Sequence, residues 1–176
     1  MQKNNSICII QMHTNTIPSK LVKSMTRYEY SHVAISLEKD CNTIYSFGRR
    51  SLNNVLNGGF TYQSKKDKFF EKFKNTECRI YEICVTQEQY KKLCDIIQYM
   101  RENDKKYKYD FGGIVLRHLK LPITFKNKYV CSYFIAELLE RCNIYKFDKK
   151  TCFVTPRDFE NMIGAEEIFY GKFIEY

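Results

Sequence analysis

Glycine and proline are scarce: the 176-residue chain carries 7 and 3 of them. That scarcity argues against a linker-divided chain, and the length suits one domain with a sizeable core rather than two. Residues 1–176 are therefore read as a single domain. Long apolar runs are missing as well. Met1 to Ser6 is polar, and Ile7-Cys8-Ile9-Ile10 behind it is too short for a signal-peptide core. Nothing approaches the ~18 apolar residues of a membrane span, so a cytoplasmic chain is expected. No C-x-x-C pair occurs among the eight cysteines, which argues against structural zinc. In a reducing compartment they are expected to be free thiols, most of them small core hydrophobes.

What is present is an ordinary globular composition, 44% hydrophobic and 28% charged, with a formal charge of +9. The basic residues are spread through 63–74, 101–108 and 117–128, mixed with aromatics or acids. No basic heptad, RNP-type signature or zinc finger accompanies them, so no specific nucleic-acid partner is expected. A solvated basic surface accounts for the charge. A basic module for nucleic acid or an anionic membrane stands as a lesser alternative.

Along the chain, residues 6–12 read as a buried strand, and Pro18 suits the first turn of a helix over about 18–27. Val33, Ile35 and Leu37 alternate with His32, Ala34, Ser36 and Glu38, the period-two signature of a strand. Lys39-Asp40-Cys41-Asn42 supplies a turn, and Thr43 to Arg49 returns as a second strand. Asn53-Asn54, Gly58-Gly59 and a run of lysines make 50–75 an irregular excursion. A strand follows over 78–85. Thr86 then caps a helix to about Asn103 whose apolar stripe is Tyr90, Leu93, Ile96, Ile97 and Met100. A second helix is expected from Asp110 to Leu119. The strongest is 129–142, where Cys131, Phe134, Ile135, Leu138, Leu139 and Cys142 fall on one face. Thr155-Pro156 opens a short helix to Met162, and 166–176 reads as a strand. The elements suggest an α+β class, a small mixed sheet packed by helices.

Three histidines limit the candidate bases. His13 reads as a loop residue and His118 as a helix-end residue near the dipole. His32 differs because Tyr30, Ala34 and Ser36 share its strand face, and the two small residues leave room for another element. Cys131 differs from the other cysteines in opening the strongest helix on its inward face. A helix N-terminus stabilises a thiolate and offers N–H groups to a developing oxyanion. An adjacent imidazole would complete a base–nucleophile pair.

Residues 28–37 (YEYSHVAISL) followed by 129–139 (YVCSYFIAELL) resemble the circularly permuted, NlpC-like branch of papain-fold enzymes. That branch includes YiiX-like proteins and is related to the lecithin retinol acyltransferase family. In it the histidine strand precedes the cysteine helix, as here. Supporting matches are Pro18-Ser19-Lys20-Leu21, Tyr107-Lys108-Tyr109-Asp110-Phe111 and Thr155-Pro156-Arg157-Asp158-Phe159, so the likeness spans most of the chain. The resemblance implies a permuted papain-like fold, α+β with a small, mostly antiparallel sheet or partial barrel packed by helices, with Cys131 as nucleophile and His32 as base. The family places a polar orienter, often Glu or His, on the next strand, and that position falls on Ser46. Serine accepts a hydrogen bond but supplies no charge for an imidazolium. Glu38 shares the face of His32 but lies about 20 Å along the strand.

The resemblance further implies attack by the Cys131 thiolate on an amide or ester and a thioester intermediate. Water resolves it in an amidase or peptidase, and an amine or alcohol in an acyltransferase. No metal or organic cofactor is needed, and the expected partner is a peptide, amide or lipid-ester substrate. The missing acidic orienter motivates a second reading, a catalytically weak relative that binds a peptide or acylated ligand.

Overall fold

Strand alternation builds the centre of the fold, described here by a computed structural model for residues 5–13, 28–51, 54 and 57–176. In β1 (Asn5–His13), Ile7 and Ile9 enter one core cluster while Cys8, Ile10 and Met12 enter another. Both faces of the strand are thus covered, which is why it reads as an unbroken apolar run. On one side β1 pairs with β2 (His32–Ser36), followed by β3 (Thr43–Arg49) and β4 (Gly58–Ser64). On the other lie β5 (Glu77–Val85) and β8 (Ala165–Lys172). The order is β4-β3-β2-β1-β5-β8, with each neighbouring pair antiparallel.

Short helix α1 (Lys68–Lys72) puts Phe70 on the Cys8, Ile10 and Ala34 side, where Phe173 joins it. Helices α2 (Gln87–Glu102) and α4 (Cys131–Arg141) cover the other side. Leu93, Ile97 and Met100 of α2, with Phe134, Ile135, Leu138 and Leu139 of α4, pack on Val33, Ile35, Tyr45 and Phe47. Thr86 caps α2 through a reciprocal box with Gln89. Between them α3 (Phe111–His118) is flanked by β6 (Lys108–Tyr109) and β7 (Lys128–Tyr129), a two-residue parallel pair. The architecture is α+β, a mostly antiparallel sheet packed by helices. Among the described residues no helix is long and apolar enough to cross a membrane.

Three expectations change. Residues 50–75 contain β4 and α1 rather than an irregular excursion alone. Gly58-Gly59 reads as a break, yet its lack of side chains admits β4 to the sheet: a Cβ on Gly58 would lie 2.7 Å from Cβ of Tyr109. The helix after Thr155 is a 3-10 turn over Pro156–Phe159, capped by Thr155 and Asp158. His13 ends β1 opposite Glu77 rather than sitting in a loop. The helix expected over 18–27 lies outside the described residues.

Candidate active site

Cys131 is the first residue of α4. Val130, its N-cap, is extended and supplies no side-chain cap, so the first-turn N–H groups stay available. The backbone N–H of Val33 from β2, and then those of Ser132 and Cys131, act on the thiol in the direction that favours its thiolate. The thiol thus faces the N–H of Val33, the residue after His32, while no hydrogen bond joins it to the His32 ring among the described residues. Burial raises its pKa above the ordinary cysteine value, and the three N–H groups oppose that rise. Ser132 does not compete as a nucleophile, since its hydroxyl donates to the Val154 carbonyl at 2.6 Å.

His32 opens β2 opposite Met12 and is half-buried. Its ring lies beside Gly48 of β3, where a Cβ would come within 3.5 Å of Cε1. Burial, and then the charge of Arg49, lower its pKa to about 4. The imidazole is thus neutral at pH 7. The guanidinium of Arg49 lies 5.7 Å from the ring centroids of both Phe69 and Phe73, and its buried Nη2 has no hydrogen-bond partner among the described residues. The charged neighbour of His32 is consequently a cation, in place of the usual acid.

Ser46, the expected orienter, donates its hydroxyl to the Val33 carbonyl at 2.7 Å, and Thr61 donates to the carbonyl of Ser46 at 3.2 Å. The β2–β3 ladder registers only at Ile35 and Tyr45. Toward His32, side chains take over Val33's polar groups: Ser46 satisfies its C=O, and Cys131 faces its N–H. Ser46 thus acts on the site through Val33, and its proton is already committed. Glu38, in the turn, is exposed.

One contributor escaped the sequence reading. Burial, followed by the charge of Cys131, holds the Tyr109 phenol well above its ordinary pKa, so it remains a hydrogen-bond donor. Its place is set by the β6–β7 pairing and by the Asp110 N–H, which donates to the Tyr129 carbonyl at 2.9 Å. Asp110 is buried. One of its oxygens caps α3 through the Gly113 N–H at 3.0 Å and the other meets Arg117 at 2.6 Å. A Cβ at Gly113 would lie 1.9 Å from that second oxygen, so only glycine fits. The available signal was Asp110 followed three residues later by a glycine in a helix start, which fixes Tyr109 just outside the cap.

Cys131 and Tyr109 open together onto a cavity of about 310 Å³, walled by Ile114, Val130, Phe153 and Pro156, with Arg117 and His118 at its side. The Pro156 segment is held to β1 by Gln11, whose amide donates to the Pro156 carbonyl at 2.5 Å. Among the described residues no group of three or more His, Cys, Asp or Glu is placed to hold a metal ion. All eight cysteines are free, and Cys8, Cys41, Cys78, Cys131, Cys142 and Cys152 are buried. No family model matches the chain, and no curated protein is significantly similar to it.

Proposed function

We propose that the chain is a cysteine-dependent hydrolase or acyltransferase of the permuted papain-like, NlpC-type fold, acting on an amide or ester in a cytoplasmic setting. One observation carries this: the Cys131 thiol sits at a helix N-terminus, opens onto a cavity and faces the backbone N–H of Val33, the residue after His32. With the thiol pKa raised and the imidazole pKa lowered, the pair rests as neutral thiol and imidazole. Proton transfer then accompanies attack. Sγ bonds to the substrate carbonyl carbon while the thiol proton passes to His32, whose ring rests beside Gly48 and Arg49 and must turn toward Sγ for this step. The oxyanion is met by the α4 backbone N–H groups and the Tyr109 hydroxyl. Collapse breaks the C–N or C–O bond, and His32 returns the proton to the leaving amine or alcohol. Water, or an acceptor amine or alcohol, then releases the acyl group and restores the thiol.

A second reading, a binding relative with little turnover, is favoured by the charge of Arg49, which disfavours an imidazolium at His32 where an acid would stabilise it. Incubation with p-nitrophenyl esters and aminoacyl amides of graded acyl length, read by intact mass, separates the two. The enzyme forms an acyl adduct on Cys131 that is absent from Cys131→Ala and decays with turnover. A chain that binds these compounds but shows neither adduct nor product release sinks the catalytic reading.

A further inference from the structure

Beside the Cys131 cavity, the chain exposes a row of large apolar side chains that nothing among the described residues covers. Phe111, Val115, Leu119, Leu121, Ile123 and Phe125 are between 39% and 62% exposed. Phe111 and Val115 of α3 and Leu119 at its C-cap recur every fourth residue and so form one outward stripe. Every residue from His118 to Lys126 is exposed. The segment nevertheless has a defined shape. Leu119 N–H donates to Val115 C=O at 3.1 Å and Leu121 N–H to Leu116 C=O at 2.9 Å as Lys120 turns at φ +60°. At the far end Lys128 N–H donates to Phe125 C=O at 3.1 Å, with Asn127 at φ +58°.

The charge around this row has one sign. No Asp or Glu occurs between Asp110 and Glu137. Arg117 is taken up by Asp110, but Lys120, Lys126 and Lys128 are exposed, and the Lys128 ammonium lies 5.3 Å from the centre of the Phe125 ring. Apolar tips with interleaved cations match the interface of an anionic bilayer, where tips enter the acyl boundary and ammonium groups meet headgroups. A second copy would bring the same cations together with no acid to receive them. A polyanion such as nucleic acid would use the lysines but leave the apolar row in water.

We propose that residues 111–128 form a docking surface for an anionic phospholipid bilayer. Ile114, Arg117 and His118 line the Cys131 cavity, so docking brings that cavity to the membrane surface. Binding is independent of the reactivity of Cys131, and it is read separately from any acyl adduct.

The test is co-sedimentation with vesicles of phosphatidylcholine, alone or mixed with phosphatidylserine. The chain contains no tryptophan, so Leu121→Trp adds a single reporter whose emission shifts to the blue on insertion. Partition onto the mixed vesicles is expected at low salt and weakens as salt rises. Replacing Lys120, Lys126 and Lys128 together by Gln is expected to weaken it roughly a hundredfold, at about fivefold per lysine. Leu119→Ser with Ile123→Ser reduces partition and insertion, whereas Lys91→Gln with Lys92→Gln, on α2, leaves both unchanged. Circular dichroism melts of each variant establish that the fold is kept. The proposal is overturned by no partition at low salt, by no blue shift, or by loop variants that bind like the parent. Self-association that the loop substitutions abolish, in a chain that ignores vesicles, assigns the surface to a second copy and equally overturns it.

Discussion

Replacing His32 by Gln removes a group that the fold keeps neutral, and the effect on stability has a definite sign and pH window. An unfolded histidine titrates at 6.5, whereas His32 is lowered to about 4 by burial and then by Arg49. Below pH 6.5 the unfolded chain therefore takes up a proton that the folded chain refuses, and stability falls with pH until the folded group titrates too. At 1.36 kcal/mol per unit the difference reaches about 3 kcal/mol by pH 4, an upper figure because the ring retains some solvent contact. The assay is urea denaturation of the parent and His32→Gln from pH 7 to pH 4. Carboxylate titrations common to both proteins cancel, so the parent should lose up to about 3 kcal/mol relative to the variant over that window. An NMR titration of the imidazole Cε1–H reads the same group directly. A resonance titrating at or above 6.5, with a flat or inverted stability difference, would refute the reasoning. A value near 6.5 would mean that the ring is solvated as in the unfolded chain, and one well above 7 that an imidazolium is the resting form.

Tyr109→Phe deletes a single hydroxyl beside Cys131. In the catalytic reading kcat falls by about 10²–10³-fold with KM little changed, checked by steady-state ester hydrolysis. Ser46→Ala leaves the Val33 carbonyl without its donor and is expected to cost about 1–3 kcal/mol in denaturant unfolding. It also loosens the peptide against the thiol, so the alkylation rate of Cys131 should change while that of exposed Cys84 does not. Asp110→Ala strands buried Arg117 and uncaps α3, with an expected loss of about 3–5 kcal/mol, measured by thermal melting. A loss below about 1 kcal/mol would show the pair to be solvent-relaxed.

Local patterns carried the parts of the fold that local rules govern. Alternation at Val33 and Ile35, the Thr86 cap and the one-sided row from Cys131 to Leu139 all appear as elements with the expected faces. β4 stayed hidden because its strand character depends on a neighbour: Gly58 weakens a strand by propensity, yet the approach of Tyr109 requires its missing side chain. The site divides in the same way. Cys131 and His32 stand out by element position. Tyr109 depends on a two-residue parallel pairing across nineteen intervening residues of chain, which no periodicity announces. Ser46 was named from the family resemblance as the orienter of His32, but its hydroxyl bonds the backbone of Val33, a choice set by where the ladder lapses.

That lapse has a consequence for how the protein would respond to selection or engineering. Continuing the β2–β3 ladder past Ile35 and Tyr45 would give Val33 ordinary backbone partners and make the sheet more stable. It would also withdraw from Cys131 an N–H that lowers its pKa. Stabilising substitutions that zip this seam should therefore raise the melting temperature while blunting the thiol, so robustness and reactivity draw on the same peptide group.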